Sequence, residues 1–160
     1  MLVLQKGDVH LWLAYYDRIL DQRTLDGYRI LLTEDEHAQM ERFYFEDDRR
    51  RFLVTRALVR TVLSRYASIP AAAWRFVKNA YGRPTISELH GRACELSFNI
   101  SHTRGLIALA LTRQAAVGVD VENFAAFAAP IDIANHYFSP NEAAALIALE
   151  REHQQRRFFE

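Results

Sequence analysis

Ser97-Phe98-Asn99-Ile100-Ser101-His102-Thr103 is followed, across one short connection, by the apolar run Gly105-Leu106-Ile107-Ala108-Leu109-Ala110-Leu111-Thr112. Two strand-like runs this close leave few choices: strand, short loop, strand. After the polar Arg113-Gln114, the stretch Val117-Gly118-Val119-Asp120-Val121-Glu122 reads as a further strand. His102 then stands at a strand end. Asp120 and Glu122 are two apart, so on a strand they share a face. Such a pair suits a hard divalent cation. Magnesium takes one or two carboxylates, keeps several waters and completes its shell with phosphate oxygens. His102 adds a donor for a second phosphate. The centre of the chain therefore points to phosphate chemistry with a divalent metal.

The chain has 160 residues, enough for one domain or two small halves. Its 20 Lys and Arg balance 20 Asp and Glu, so no overall charge draws it to a nucleic-acid backbone. The single Cys94 excludes an internal disulfide and a cysteine-rich zinc site, and fits a reducing compartment. No apolar run approaches the ~20 residues that span a bilayer. Met1 to Gln5 is short and runs into a strand-like pattern, unlike a signal peptide. The expectation is a cytoplasmic protein with no nucleic-acid or membrane partner.

Taken in order, Leu2–Gln5 and Val9–Tyr15 read as strands, the second apolar enough to be covered on both faces. Residues 17–31 are helix or loop, with a break near Gly27. Thr33-Glu34-Asp35-Glu36 is a capping box that opens a helix towards Phe45. The clearest helix spans roughly residues 47–67, with Leu53, Val54, Ala57, Leu58, Val62 and Leu63 on its apolar stripe. Arg49, Arg56 and Arg60 share another face, which is either a solvated surface or a source of phosphate contacts. One helical turn at 71–73, a strand at 74–78, a turn through Gly82 and Pro84 and a loop at 87–93 precede the central strands. A short helix is expected at 131–138. A second capping box, Ser139-Pro140-Asn141-Glu142, starts a helix that should run into the 150s. Arg156-Arg157-Phe158-Phe159-Glu160 carries no stop signal, so the chain is expected to continue past it.

Several blocks in this order carry a resemblance: Arg49–Arg60 on the long helix, Tyr81-Gly82-Arg83-Pro84, Phe98-Asn99-Ile100-Ser101-His102, Gly118-Val119-Asp120-Val121-Glu122, and Phe138-Ser139-Pro140-Asn141-Glu142. Together they resemble the 4′-phosphopantetheinyl transferases of the surfactin-synthetase type, over nearly the whole chain. The resemblance implies an α+β fold of two pseudo-symmetric halves with antiparallel sheets and packed helices. Residues 1–114 would be the coenzyme-binding half and residues 115–160 the start of an incomplete second half. It implies transfer of the phosphopantetheine arm of coenzyme A to a serine of an acyl or peptidyl carrier protein, with magnesium, releasing adenosine 3′,5′-bisphosphate.

By the same resemblance, Asp120 and Glu122 match magnesium ligands, and Ser101 and His102 match a coenzyme-contacting pair. Arg51 matches a cation for a coenzyme phosphate. Tyr81, Gly82, Arg83 and Pro84 match the segment near the adenine, and Glu142 matches an acidic position near the metal that acts through a water. Two departures stand out. Glu36 and Gln39 occupy positions where some relatives carry lysines for the 3′-phosphate. The chain also ends before the family's Trp-x-x-Lys-Glu motif. The alternatives are a non-catalytic fragment that binds coenzyme A or a carrier protein, and an unrelated magnesium-dependent phosphoesterase.

Overall fold

The computed structural model describes residues 1–80, 82–123 and 131–159, with the side chains of Arg92, Cys94 and Glu152 outside that description. The described residues form two compact units, Met1–Val121 and Glu122–Glu160. The first is built on a three-stranded antiparallel sheet of order β1-β5-β4, with β1 His10–Ala14, β4 Leu96–Thr103 and β5 Leu106–Arg113. A separate hairpin pairs β2 Phe76–Lys78 with β3 Pro84–Ile86. Helices α1 Gln22–Arg29, α2 Glu34–Glu41 and α3 Glu46–Leu63 complete this unit.

The expected hairpin is β4 and β5, with Phe98 opposite Leu111, Ile100 opposite Leu109 and His102 opposite Ile107. Side-chain alternation puts Phe98, Ile100 and His102 on one face of β4, and Asn99 and Ser101 on the other. On the first face Leu109 and Leu111 pack with Val59, Val62 and Leu63 from the C-terminal half of α3. One row further along, Ile107 packs with Leu53 and Val54 from the N-terminal half, together with Leu25 of α1 and Met40 of α2. The helix thus descends along the sheet, and the His102 row lies towards its N-terminal half.

Several expectations for the first unit are corrected. Leu2–Gln5 is not a strand: the Leu2 N–H goes to the Arg65 carbonyl just past α3, and Leu4 is buried in the core. β1 is an edge strand covered on one face only, with Leu11 and Leu13 outward and about half exposed. α1 runs through Gly27 without a break, capped by Asp21, whose carboxylate accepts the Thr24 N–H. The expected loop at 87–93 is largely a 3-10 segment, Glu88–Glu95, with a kink at Gly91. Thr33 and Glu36 form the expected box, although α2 stops at Glu41 rather than near Phe45.

The second unit holds α4 Ile131–Tyr137, α5 Pro140–Ile147 and α6 Arg151–Phe159. Ser139 and Glu142 cap each other's backbone as the sequence indicates. The single helix expected from this box is two: α5 closes at Ala148, and Gln154 of α6 donates to the freed carbonyls of Ile147 and Leu149. Those bonds replace the intrahelical partners the last carbonyls lack. Among the described residues no helix is long and apolar enough to cross a membrane.

Candidate functional site

The expected strand at 117–122 does not form a ladder. Instead the side chains of β4 hold this segment. Asn99 Oδ1 accepts the Val119 N–H at 2.8 Å, and Ser101 Oγ accepts the Val121 N–H at 3.2 Å. Asn99 and Ser101 are two apart on one face of β4, so their oxygens substitute for two ladder carbonyls. Arg83 Nη2 ties in the start of the segment, donating to the carbonyls of Phe98 at 2.6 Å and Val117 at 2.8 Å.

Ser101 Oγ donates to Asp120 Oδ1 at 2.8 Å, which orients the carboxylate. Asp120 and Glu122 are both exposed, and Glu122 opens the second unit. Among the described residues no three His, Cys, Asp or Glu side chains form a cluster that could hold a metal. Asp120, an exposed carboxylate oriented by a hydroxyl, is of the donor type that magnesium takes while keeping most of its shell for water and phosphate.

His102 projects from the opposite face of β4. Partial desolvation, and then the Arg51 guanidinium, hold its imidazole below the ordinary histidine range, opposed by Asp48. Arg51 itself is paired with Asp48 at 2.8 Å, one turn back on α3. Ser101 and His102 therefore serve opposite sides of one strand end, the first towards Asp120 and the second towards the field of Arg51. Asp48 and Asn99 were not singled out from sequence. The i,i+3 spacing of Asp48 and Arg51 and the alternation of Asn99 with Ser101 were the available signals.

The remaining sites divide. Gly82 has φ +76°, a conformation that favours glycine, in a turn closed by Gly82 N–H to Asn79 O at 2.9 Å. Pro84 begins β3. Tyr81 and Glu160 lie outside the described residues. In the second unit Glu142 is exposed, and its carboxylate is held below the usual range first by the Ser139 side chain and then by its backbone N–H. The arginine face resolves into structural roles. Arg49 donates to the carbonyls of Phe43 and Tyr44, and Arg60 is 1% exposed and paired with Glu36. Arg60 is thus neither a solvated residue nor a surface phosphate contact.

Residues 22–114 match the family model described as 4′-phosphopantetheinyl transferase, N-terminal. The chain belongs to the 4′-phosphopantetheinyl transferase family. It is 30% identical over 158 residues to the 4′-phosphopantetheinyl transferase HetI of Nostoc sp., covering 99% of this chain and 65% of that protein. It is 30% identical over 145 residues to the 4′-phosphopantetheinyl transferase Sfp of Bacillus subtilis, covering 91% of this chain and 62% of that protein. A putative 4′-phosphopantetheinyl transferase of Synechocystis sp. is 27% identical over 150 residues, with 94% of this chain and 58% of the relative covered. The chain spans less than two thirds of the length of these relatives. Within the family match lie Arg51, Arg83, Ser101 and His102, while Asp120 and Glu122 fall beyond it.

Proposed function

We propose that the chain carries the coenzyme-binding half and the first metal-binding residues of a transferase. This enzyme moves the 4′-phosphopantetheine arm of coenzyme A to a serine of an acyl or peptidyl carrier protein and releases adenosine 3′,5′-bisphosphate. The observation that carries this reading is the Ser101–Asp120 hydrogen bond, which orients an exposed carboxylate beside the strand end that presents His102. In this reading residues 1–114 form one half of a pseudo-symmetric fold and residues 115–160 open a second.

The reaction forms a bond from the serine oxygen to phosphorus, breaks the bond to the bisphosphate oxygen, and hands the serine proton to a base. Charge neutralisation and positioning dominate such a transfer. Magnesium, held by Asp120 and Glu122 when bound, would neutralise the diphosphate and the developing charge on the leaving oxygen. Ser101 keeps Asp120 in one orientation. His102, neutral near pH 7, donates a hydrogen bond to the coenzyme, and Arg51 supplies a fixed positive charge. Gly82, Arg83 and Pro84, with Tyr81, shape the segment for the adenine. Glu142, an exposed carboxylate of the second unit, would be the further acidic group that the resemblance implies for the reaction.

The test is the intact mass of a carrier protein after incubation with coenzyme A, magnesium and this chain. A gain of one phosphopantetheine is expected if the described residues suffice. No gain, with tight coenzyme binding by calorimetry, would favour the non-catalytic reading that the 65% coverage of its relative raises. The absence of both mass gain and coenzyme binding would overturn the proposal.

A further inference from the structure

We propose that Asn99 is a positioning residue for the segment that carries Asp120: its carboxamide oxygen sets the register in which that carboxylate meets Ser101. Residues 117–122 join no ladder, and their anchors fall on every second residue. Arg83 Nη2 donates to the Val117 carbonyl at 2.8 Å, Asn99 Oδ1 accepts the Val119 N–H at 2.8 Å, and Ser101 Oγ accepts the Val121 N–H at 3.2 Å. Two residues of extended chain advance about 6.5–7 Å, so the step from Asn99 to Ser101 matches that from Val119 to Val121. The pairs 99–119 and 101–121 rise together, so the segment runs in the direction of β4. Opposite Asn99 and Ser101 in the ladder stand Ala110 and Ala108. Such small neighbours leave both polar side chains clear above that face.

The two side-chain anchors are not equivalent. A serine hydroxyl has one proton, and Ser101 gives it to Asp120 Oδ1. Its bond from Val121 lies at the long end for N–H···O, whereas the bond from Val119 to Asn99 is shorter. Asn99 therefore bears the backbone, and Ser101 is left to orient the carboxylate. A slip of two residues would bring the Val121 N–H to Asn99 and carry Asp120 away from Ser101. Registers set by side chains on one strand face are fixed in this way. The residue type suits the task. A carboxamide offers an oxygen to the backbone without adding a charge beside Asp120.

The first measurement is amide hydrogen exchange of the whole ligand-free chain, followed by NMR. Asn99→Leu keeps the volume of the side chain but removes the acceptor. It should speed exchange at both Val119 and Val121 by about tenfold or more, with Leu109 of the middle strand unchanged. Asn99→Asp retains an acceptor and should keep both amides protected. Acceleration at Val119 alone would show that Asn99 holds only its own bond, and would overturn the proposal. So would an equal acceleration at Leu109, the mark of general destabilisation, or loss of protection in Asn99→Asp. The second measurement is magnesium titration by calorimetry in the presence of coenzyme A, and it rests on the function proposed above. Affinity should fall about tenfold in Asn99→Leu, the lower end of the loss when a ligand's orienting partner goes. Asn99→Asp should hold magnesium at least as tightly as wild type. Release of both amides with unchanged magnesium affinity would leave Asn99 a structural role only, against the proposal. Release of both amides in a protein whose wild type binds coenzyme A but no magnesium would keep the hold of Asn99 on the Asp120 segment and sink the metal assignment instead.

Discussion

Ser101 donates to Asp120 Oδ1 at 2.8 Å and, through the same oxygen, accepts the Val121 N–H at 3.2 Å. One hydroxyl thus holds both a backbone segment and the carboxylate it carries. Ser101→Ala should weaken magnesium binding in the presence of coenzyme A by roughly 10–100-fold, the usual scale for losing a partner that orients a ligand. Magnesium titration by calorimetry reads this directly. An unchanged affinity would remove Ser101 from any positioning role.

Arg83 gives one nitrogen to two carbonyls, those of Phe98 and Val117. Arg83→Ala should therefore destabilise the ligand-free protein, by about 1.5–3 kcal/mol on the scale of bonds to charged groups. For a chain of this size that corresponds to a fall in Tm of roughly 3–10 °C. A normal Tm without coenzyme, combined with weakened coenzyme binding, would assign Arg83 to the ligand alone.

Glu36 is paired with both Arg56 and Arg60. Glu36→Gln keeps a residue able to close the capping box with Thr33 but removes the charge. Breaking one side of a buried ion pair costs about 3–5 kcal/mol, and urea unfolding should show a loss of that size. Adding Arg60→Met should recover much of it. If Glu36→Gln costs under ~1 kcal/mol, the pair is solvated as surface bridges are.

His102 titrates below the ordinary histidine value, first through desolvation and second through Arg51. Between the lowered native pKa and the unfolded value of about 6.5, the unfolded chain binds more protons at this residue. The stability this contributes is complete above pH ~6.5 and is lost as the pH falls through the native value. Arg51→Gln should raise the pKa of His102 and Asp48→Asn should lower it further, both followed by NMR titration of the imidazole. Identical titrations in wild type and Arg51→Gln would show that Arg51 does not act on His102.

Much of the fold was legible because its parts are local. The Thr33–Glu36 and Ser139–Glu142 boxes are four-residue patterns whose bonds close within one turn. The β4–β5 hairpin followed from two adjacent strand-like runs, and the α3 stripe from its helical period. The character of residues 117–122 was not legible. Their alternation matches a strand, yet whether a backbone N–H meets a carbonyl or a side-chain oxygen depends on which residue of another element lies opposite.

The sequence by itself determined the β4–β5 hairpin, the long helix α3, the two capping boxes, the order of the family's blocks and the residue types that suit phosphate and magnesium. Periodicity and capping chemistry act over a few residues, so they can be read without a fold. Only the tertiary structure decided what those residues do. It tied Ser101 to Asp120 and Val121, committed Arg83 to two carbonyls, and buried Arg60 against Glu36, 24 residues away. It also left two guanidinium groups sharing one carboxylate. Partners that distant in sequence are chosen by packing, and the energy of a charge depends on which of them packing supplies.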